Sequence, residues 1–100
     1  MPVARPISLD VESPEAAPYF TWDAPVRNVE IRYALAHASL EERLHWMARI
    51  LREARYDDVW AYLSLRTDVL PNWTQLGPRL GRRRAMWEFL IDRWRGAGLL

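Results

Sequence analysis

Two histidines, His37 and His45, stand four residues either side of Glu41. On one unbroken helix that spacing would line three metal-capable side chains along a single face. Ser39 argues against such a helix. Ser39-Leu40-Glu41-Glu42 spells a capping box, in which the Ser oxygen accepts from the third helical N–H and Glu42 reaches back. A new helix beginning there puts His45 on its polar side. Glu42-x-x-His45 is half of a di-iron pattern, whose second copy and two further carboxylates are missing. The chain has no cysteine, which excludes thiol catalysis, disulfide scaffolds and the common zinc fingers. No nucleophile elbow of the Gly-x-Ser-x-Gly kind occurs. All 4 glycines lie between residues 77 and 98, so no phosphate-cradling loop is present either. The expectation is a protein that is not an enzyme and carries no metal or cofactor.

The residues that invite a functional reading are instead basic and aromatic. Arg82, Arg83 and Arg84 open a predicted helix, where the macrodipole disfavours cations by a few tenths of a kcal/mol each. Phe89 falls nearly opposite the apolar arc of that helix, on the same side as Arg82 and Arg93. An aromatic ring flanked by guanidinium groups has the composition of an interface hot spot. The simpler account is that Arg84 pairs with Glu88 one turn on, that its neighbours are solvated, and that Phe89 is exposed by accident or buried in a third layer.

The same segment, Leu76 to Leu90, reads as a helix-turn-helix: Gly77 where two helices touch, Leu80 packing, Gly81 at the turn, Trp87 and Leu90 anchoring the second helix. With the following Leu90-to-Leu100 stretch it resembles the recognition helix of winged-helix regulators, which implies DNA binding through Arg79, Arg82, Arg83 and Arg84. It departs from that pattern at Pro78 and at the bulky Trp87. Glu88 and Asp92, on the outward side of the helix, would repel phosphates.

The elements that must position these residues are helices. Neither Gly nor Pro interrupts the chain from Val26 to Leu70. Asp23 is placed to cap a first helix that runs to about Ala38, although Val29, Ile31, Tyr33 and Leu35 alternate as a strand would. In the second helix, 40–55, Leu40, Leu44, Trp46, Met47, Ile50, Leu51 and Ala54 fill an arc of about 160°. Asp57 reads as the cap of a short third helix carrying Val59, Trp60 and Leu63. Thr67 or Asp68 would begin a turn through Pro71 and Trp73. Gly77 and Pro78 open a last helix to about Arg95, whose Leu80, Met86, Trp87, Leu90, Ile91 and Trp94 share an arc of about 140°. Packing the two long helices on each other, with Trp46 and Trp87 inward, gives an all-α bundle of four to five helices.

Composition sets the frame. One hundred residues make one domain, read as an extended arm, 1–24, followed by a helical domain, 25–100. The arm carries four prolines and a net charge of −3, the middle of the chain (25–78) is neutral, and residues 79–100 carry +4. Residues 1–13 are expected to be mobile. Tyr19, Phe20 and Trp22 are too apolar for a solvated tail and are expected to dock, on the domain or on a partner, with the acidic arm near the basic C-terminal zone. All 14 cations are arginines, as a GC-rich genome would encode, and arginine forks where lysine only presents a point charge. The absence of a long apolar run predicts no membrane span. The N-terminus has no signal-like apolar core, so a cytoplasmic protein is expected. The leading expectation is a small non-enzymatic module binding another protein, or a second copy of itself, through Arg82, Arg83, Phe89 and Arg93, with Tyr19, Phe20 and Trp22 as a second contact. The alternative is nucleic-acid binding through the arginine run.

Overall fold

The computed structural model describes residues 7–100. The first six residues of the expected arm lie outside the described part. Five α-helices occur among the described residues: α1 (Asn28–His37), α2 (Leu40–Glu53), α3 (Tyr56–Val59), α4 (Trp73–Leu76) and α5 (Arg84–Gly96). Short 3-10 and π turns join them. Two two-residue strands, β1 (Ile7–Ser8) and β2 (Ala17–Pro18), pair in parallel with Ile7 beside Ala17. The alternating apolar residues after Asn28 belong to α1 and not to a strand.

The break between α1 and α2 is where the sequence puts it. Ala38 and Ser39 are extended, and Ser39 Oγ accepts from Glu42 N at 3.3 Å. The start of α1 is different from the expectation. Asp23 does not cap it; Arg27 is the N-cap residue, and the orphan N–H groups of Asn28 and Val29 donate to Ala16 O and Pro14 O at 2.8 and 3.0 Å. The arm itself caps the helix.

The arm is therefore built in. Asn28, fully buried, donates from Nδ2 to Asp10 O and Ser13 O, both at 2.9 Å, while its Oδ1 accepts from the Tyr62 hydroxyl at 2.5 Å. Arg32 donates to Val11 O at 2.6 Å and Ala61 O at 3.1 Å. Residues 7–13, expected to be mobile, are held by these bonds; burying Asn28 requires each of its polar atoms to find a partner, and the arm's carbonyls supply them. The arm's acids meet the middle of the chain and not its basic end: Glu15 pairs with Arg27 and Asp23 with Arg49.

The last long helix is also shorter than its sequence suggests. Gly77–Arg79 forms a 3-10 turn, Leu80 is buried, and Gly81, at φ +54°, turns the chain before a second 3-10 turn and α5. An L-residue resists that backbone, so Gly81 ends one direction and starts another. The consequence is a different core. The main neighbour of α2 is α1, followed by α4 and the Gly81–Arg83 turn; α5 is a lesser neighbour, tied to α2 by Trp87 Nε1 donating to Leu51 O. Fourteen buried residues form one cluster centred on Phe20, Ile31, Leu44, Ile50, Leu51, Leu76, Leu80 and Trp87. Of the six tryptophans Trp87 alone is wholly buried, with Trp60 edge-on and Tyr56 stacked on it; Trp46 is half-buried.

Candidate functional site

The arginines separate into two groups by what they touch. Arg32, Arg49, Arg52, Arg66 and Arg83 each donate to backbone carbonyls at least 21 residues away, on Val11 and Ala61, Phe20, Arg79, Leu99, and Leu51 and Ala54 respectively. A planar guanidinium can reach two acceptors at once from a half-buried position, which an ammonium does less well. Arg27, Arg79 and Arg84 pair with carboxylates, and Arg55 lies over the Tyr19 ring. Among the described residues only Arg43, Arg82, Arg93 and Arg95 lack an ion pair, a side-chain hydrogen bond or a ring contact. Arg43 is half-buried within α2, its Nε unsatisfied. The other three are exposed and belong to α5 or the turn that precedes it.

That turn explains the odd arginine run. Arg83 lies half-buried against the C-terminal end of α2, where the last carbonyls of a helix have no partner of their own. Its guanidinium donates to Leu51 O and Ala54 O there, and Trp87 Nε1 also donates to Leu51 O at 2.9 Å. Arg83 is thus a helix cap supplied from afar, held away from any partner by its own domain. Arg84 forms the expected pair with Glu88 at 3.4 Å. Arg79 pairs with Glu41 at 3.0 Å. Of the four residues that the DNA-binding alternative requires, Arg82 alone is unengaged.

The aromatic residues divide in the same way. Phe20 is buried in the core, in edge contact with Tyr19 and Tyr62. Tyr19 donates from its hydroxyl to Asp58 at 2.6 Å and accepts from Arg55 N at 2.7 Å. Burial first, and then the Asp58 carboxylate, hold its phenol above the ordinary tyrosine range. Both rings serve the chain's own fold. Trp22 remains 66% exposed and Phe89 60% exposed.

Phe89 sits at the middle of an outward face. Trp87 and Ile91 are the buried residues of α5, and a residue two positions from each lies about 180° around from their midpoint. By the same geometry Ala85, Met86, Asp92, Arg93 and Gly96 share Phe89's side, and all of them are exposed. The face combines an aromatic ring, a thioether and small residues with Asp92 and with Arg93, which has no ion-pair partner among the described residues. No protein-family model, curated protein or solved structure matches the chain.

A second surface was not foreseen. Between α1 and α2 runs an open groove of about 500 Å³, lined by apolar Val26, Val29, Tyr33, Ala34 and Trp46 and by charged Arg27, Glu30 and Glu42. Periodicity assigned Trp46 to the core and left Val29 and Tyr33 without a role; only the pairing of the two helices brings them together. His37 packs on Tyr33 and His45 edge-on against Trp46, while Glu41 holds Arg79. The three side chains that a single helix would have aligned are thus engaged in separate local contacts. Among the described residues no group of three or more His, Asp or Glu side chains is placed to hold a metal ion, and no helix is long and apolar enough to cross a membrane.

Proposed function

We propose that this chain is a non-enzymatic helical module that binds protein through the outward face of α5, and that its partner is a second copy of itself. The observation that carries the reading is the position of Phe89: 60% exposed at the centre of α5, on the side opposite the wholly buried Trp87, between exposed Met86 and the unpartnered Arg93. A large aromatic anchor within a rim that includes arginine is the arrangement in which interfaces concentrate their binding energy. The other contacts expected from the sequence are reduced to Trp22, since Tyr19, Phe20 and Arg83 are engaged within the domain. Arg82 and Arg93 supply steering and orientation more than affinity.

Sedimentation equilibrium of the purified full chain at low ionic strength tests this. The expected result is reversible self-association that Phe89→Ala weakens about tenfold or more while its melting temperature stays near that of the parent. A wild-type chain that remains monomeric at every concentration overturns the proposal, as does a Phe89→Ala chain that associates as before.

A further inference from the structure

We infer that the α1–α2 groove is the receptor for the Phe89 face of the second copy, so that the interface joins two different surfaces and not α5 to α5. The inference rests on the self-association proposed above and names the surface that completes it.

The two surfaces are complementary in the chemistry they expose. Val26, Val29 and Ala34 give the groove apolar surface, and Tyr33 (67% exposed) and Trp46 add aromatic surface. An exposed ring on a helix needs such a cleft, and two aromatic walls allow edge-to-face contact with it. The unpaired carboxylate of the groove and the unpaired arginines beside Phe89 are of opposite sign. Arg27 also lines the groove, but its charge is taken up by Glu30 and Glu15, so Glu42, whose carboxylate has no hydrogen-bond or ion-pair partner among the described residues, is the groove's unpaired charge. Across the contact, Arg82 and Arg93 flank Phe89 without a partner of their own. An α5–α5 pairing would instead bring the two Phe89 faces, each with these arginines, against each other, with Asp92 to offset them and Glu88 already paired with Arg84. Like charges facing one another oppose association, whereas opposite ones steer it.

A mixing experiment separates the possibilities. One variant, Tyr33→Ala/Glu42→Arg, damages the groove and leaves α5 intact. The other, Phe89→Ala, damages α5 and leaves the groove intact. All three substituted side chains are exposed, and thermal melts establish that both variants fold. Each variant alone is expected to self-associate about tenfold or more weakly than the parent, and an equimolar mixture is expected to recover association through the one remaining intact pairing. A second pair reads the charges alone: Glu42→Arg and Arg93→Glu each weaken association, and mixing them restores it. A groove variant that self-associates like the parent overturns this inference while leaving the α5 proposal standing. A parent that does not associate at all removes both.

Discussion

Trp87 and Phe89 are two residues apart on α5 and face opposite ways: Trp87 is fully buried with Nε1 bonded to Leu51 O at 2.9 Å, and Phe89 points outward. Their substitutions should separate stability from association. Trp87→Ala removes a core aromatic and its surroundings collapse only in part, at a cost of about 3–5 kcal/mol. Trp87→Phe keeps most of the volume but leaves the Leu51 carbonyl without this donor, costing about 1–3 kcal/mol. Phe89→Ala should change stability by less than about 0.5 kcal/mol, as surface substitutions do. Urea denaturation of the three variants checks the order.

Adjacent arginines should behave as differently as adjacent aromatics. Arg83→Ala removes the donor from Ala54 O and Leu51 O at the end of α2 and is expected to cost about 1–3 kcal/mol. Arg84→Ala breaks a half-exposed pair with Glu88 and should cost less than about 1 kcal/mol. Arg82→Ala breaks no ion pair or side-chain hydrogen bond among the described residues and should cost less than about 0.5 kcal/mol. Equal destabilisation by all three, measured by denaturant titration, would contradict the capping role of Arg83.

The contrast within that run marks the limit of reading along the chain. Ser39 and the Gly- and Pro-free stretch around it announce α2 because the signals are local. Leu40 looked like core by angle, yet it lies in the first turn, where little covers it, and it is exposed. Arg82, Arg83 and Arg84 are chemically identical, and only the distant end of α2 makes one of them structural. Gly81 was legible as a turn, but nothing in its residue type said that the helix would begin three residues later. The groove is the same problem doubled: Val29 and Tyr33 on α1 acquire meaning only from Trp46 on α2.

Asn28 is the tightest such long-range device, since one buried side chain joins the arm, α1 and Tyr62. Asn28→Ala leaves two arm carbonyls and a tyrosine hydroxyl without this partner, each loss costing about 1–3 kcal/mol where the group stays dry. The expected outcome is release of the arm ahead of global unfolding, seen as faster amide exchange and proteolysis near Asp10–Ser13. Tyr62→Phe removes one of the three bonds and should loosen the arm less.

Stability should fall at both ends of the pH scale, for opposite reasons. The Arg49 guanidinium beside Asp23, and the Ser13 and Glu12 N–H groups around Asp10, hold these carboxyls below the usual aspartate range. Their contribution is present above the unfolded value of about 3.9 and is lost as pH drops through the lower folded values. Burial raises the phenols of Tyr19 and Tyr62. Their contribution is complete below the unfolded value of about 10 and disappears as pH rises toward the folded values, because the unfolded chain ionises first. Melting temperatures measured from pH 2 to 11 check both limbs: Asp23→Asn should flatten the acid limb, and Tyr62→Phe the alkaline one.

Gly77 and Gly81 look alike in sequence, four residues apart, but only one of them needs to be glycine. At Gly81 the backbone is left-handed, φ +54°, with open space where a Cβ would go, so the cost of a side chain is purely conformational. Gly81→Ala should lower stability by about 1–2 kcal/mol. At Gly77 the backbone is helical, φ −48° and ψ −50°, and a Cβ would meet Trp73 and the Arg84 guanidinium at 3.6 Å, an ordinary contact distance. Gly77→Ala should therefore be neutral or stabilise by up to about 1 kcal/mol, through a less free unfolded chain. Because the turn at Gly81 aims α5, the same Gly81→Ala change should also redirect Phe89 and weaken self-association, whereas Gly77→Ala should leave it intact. Paired denaturation and sedimentation measurements on these two variants test whether the turn sets the binding face.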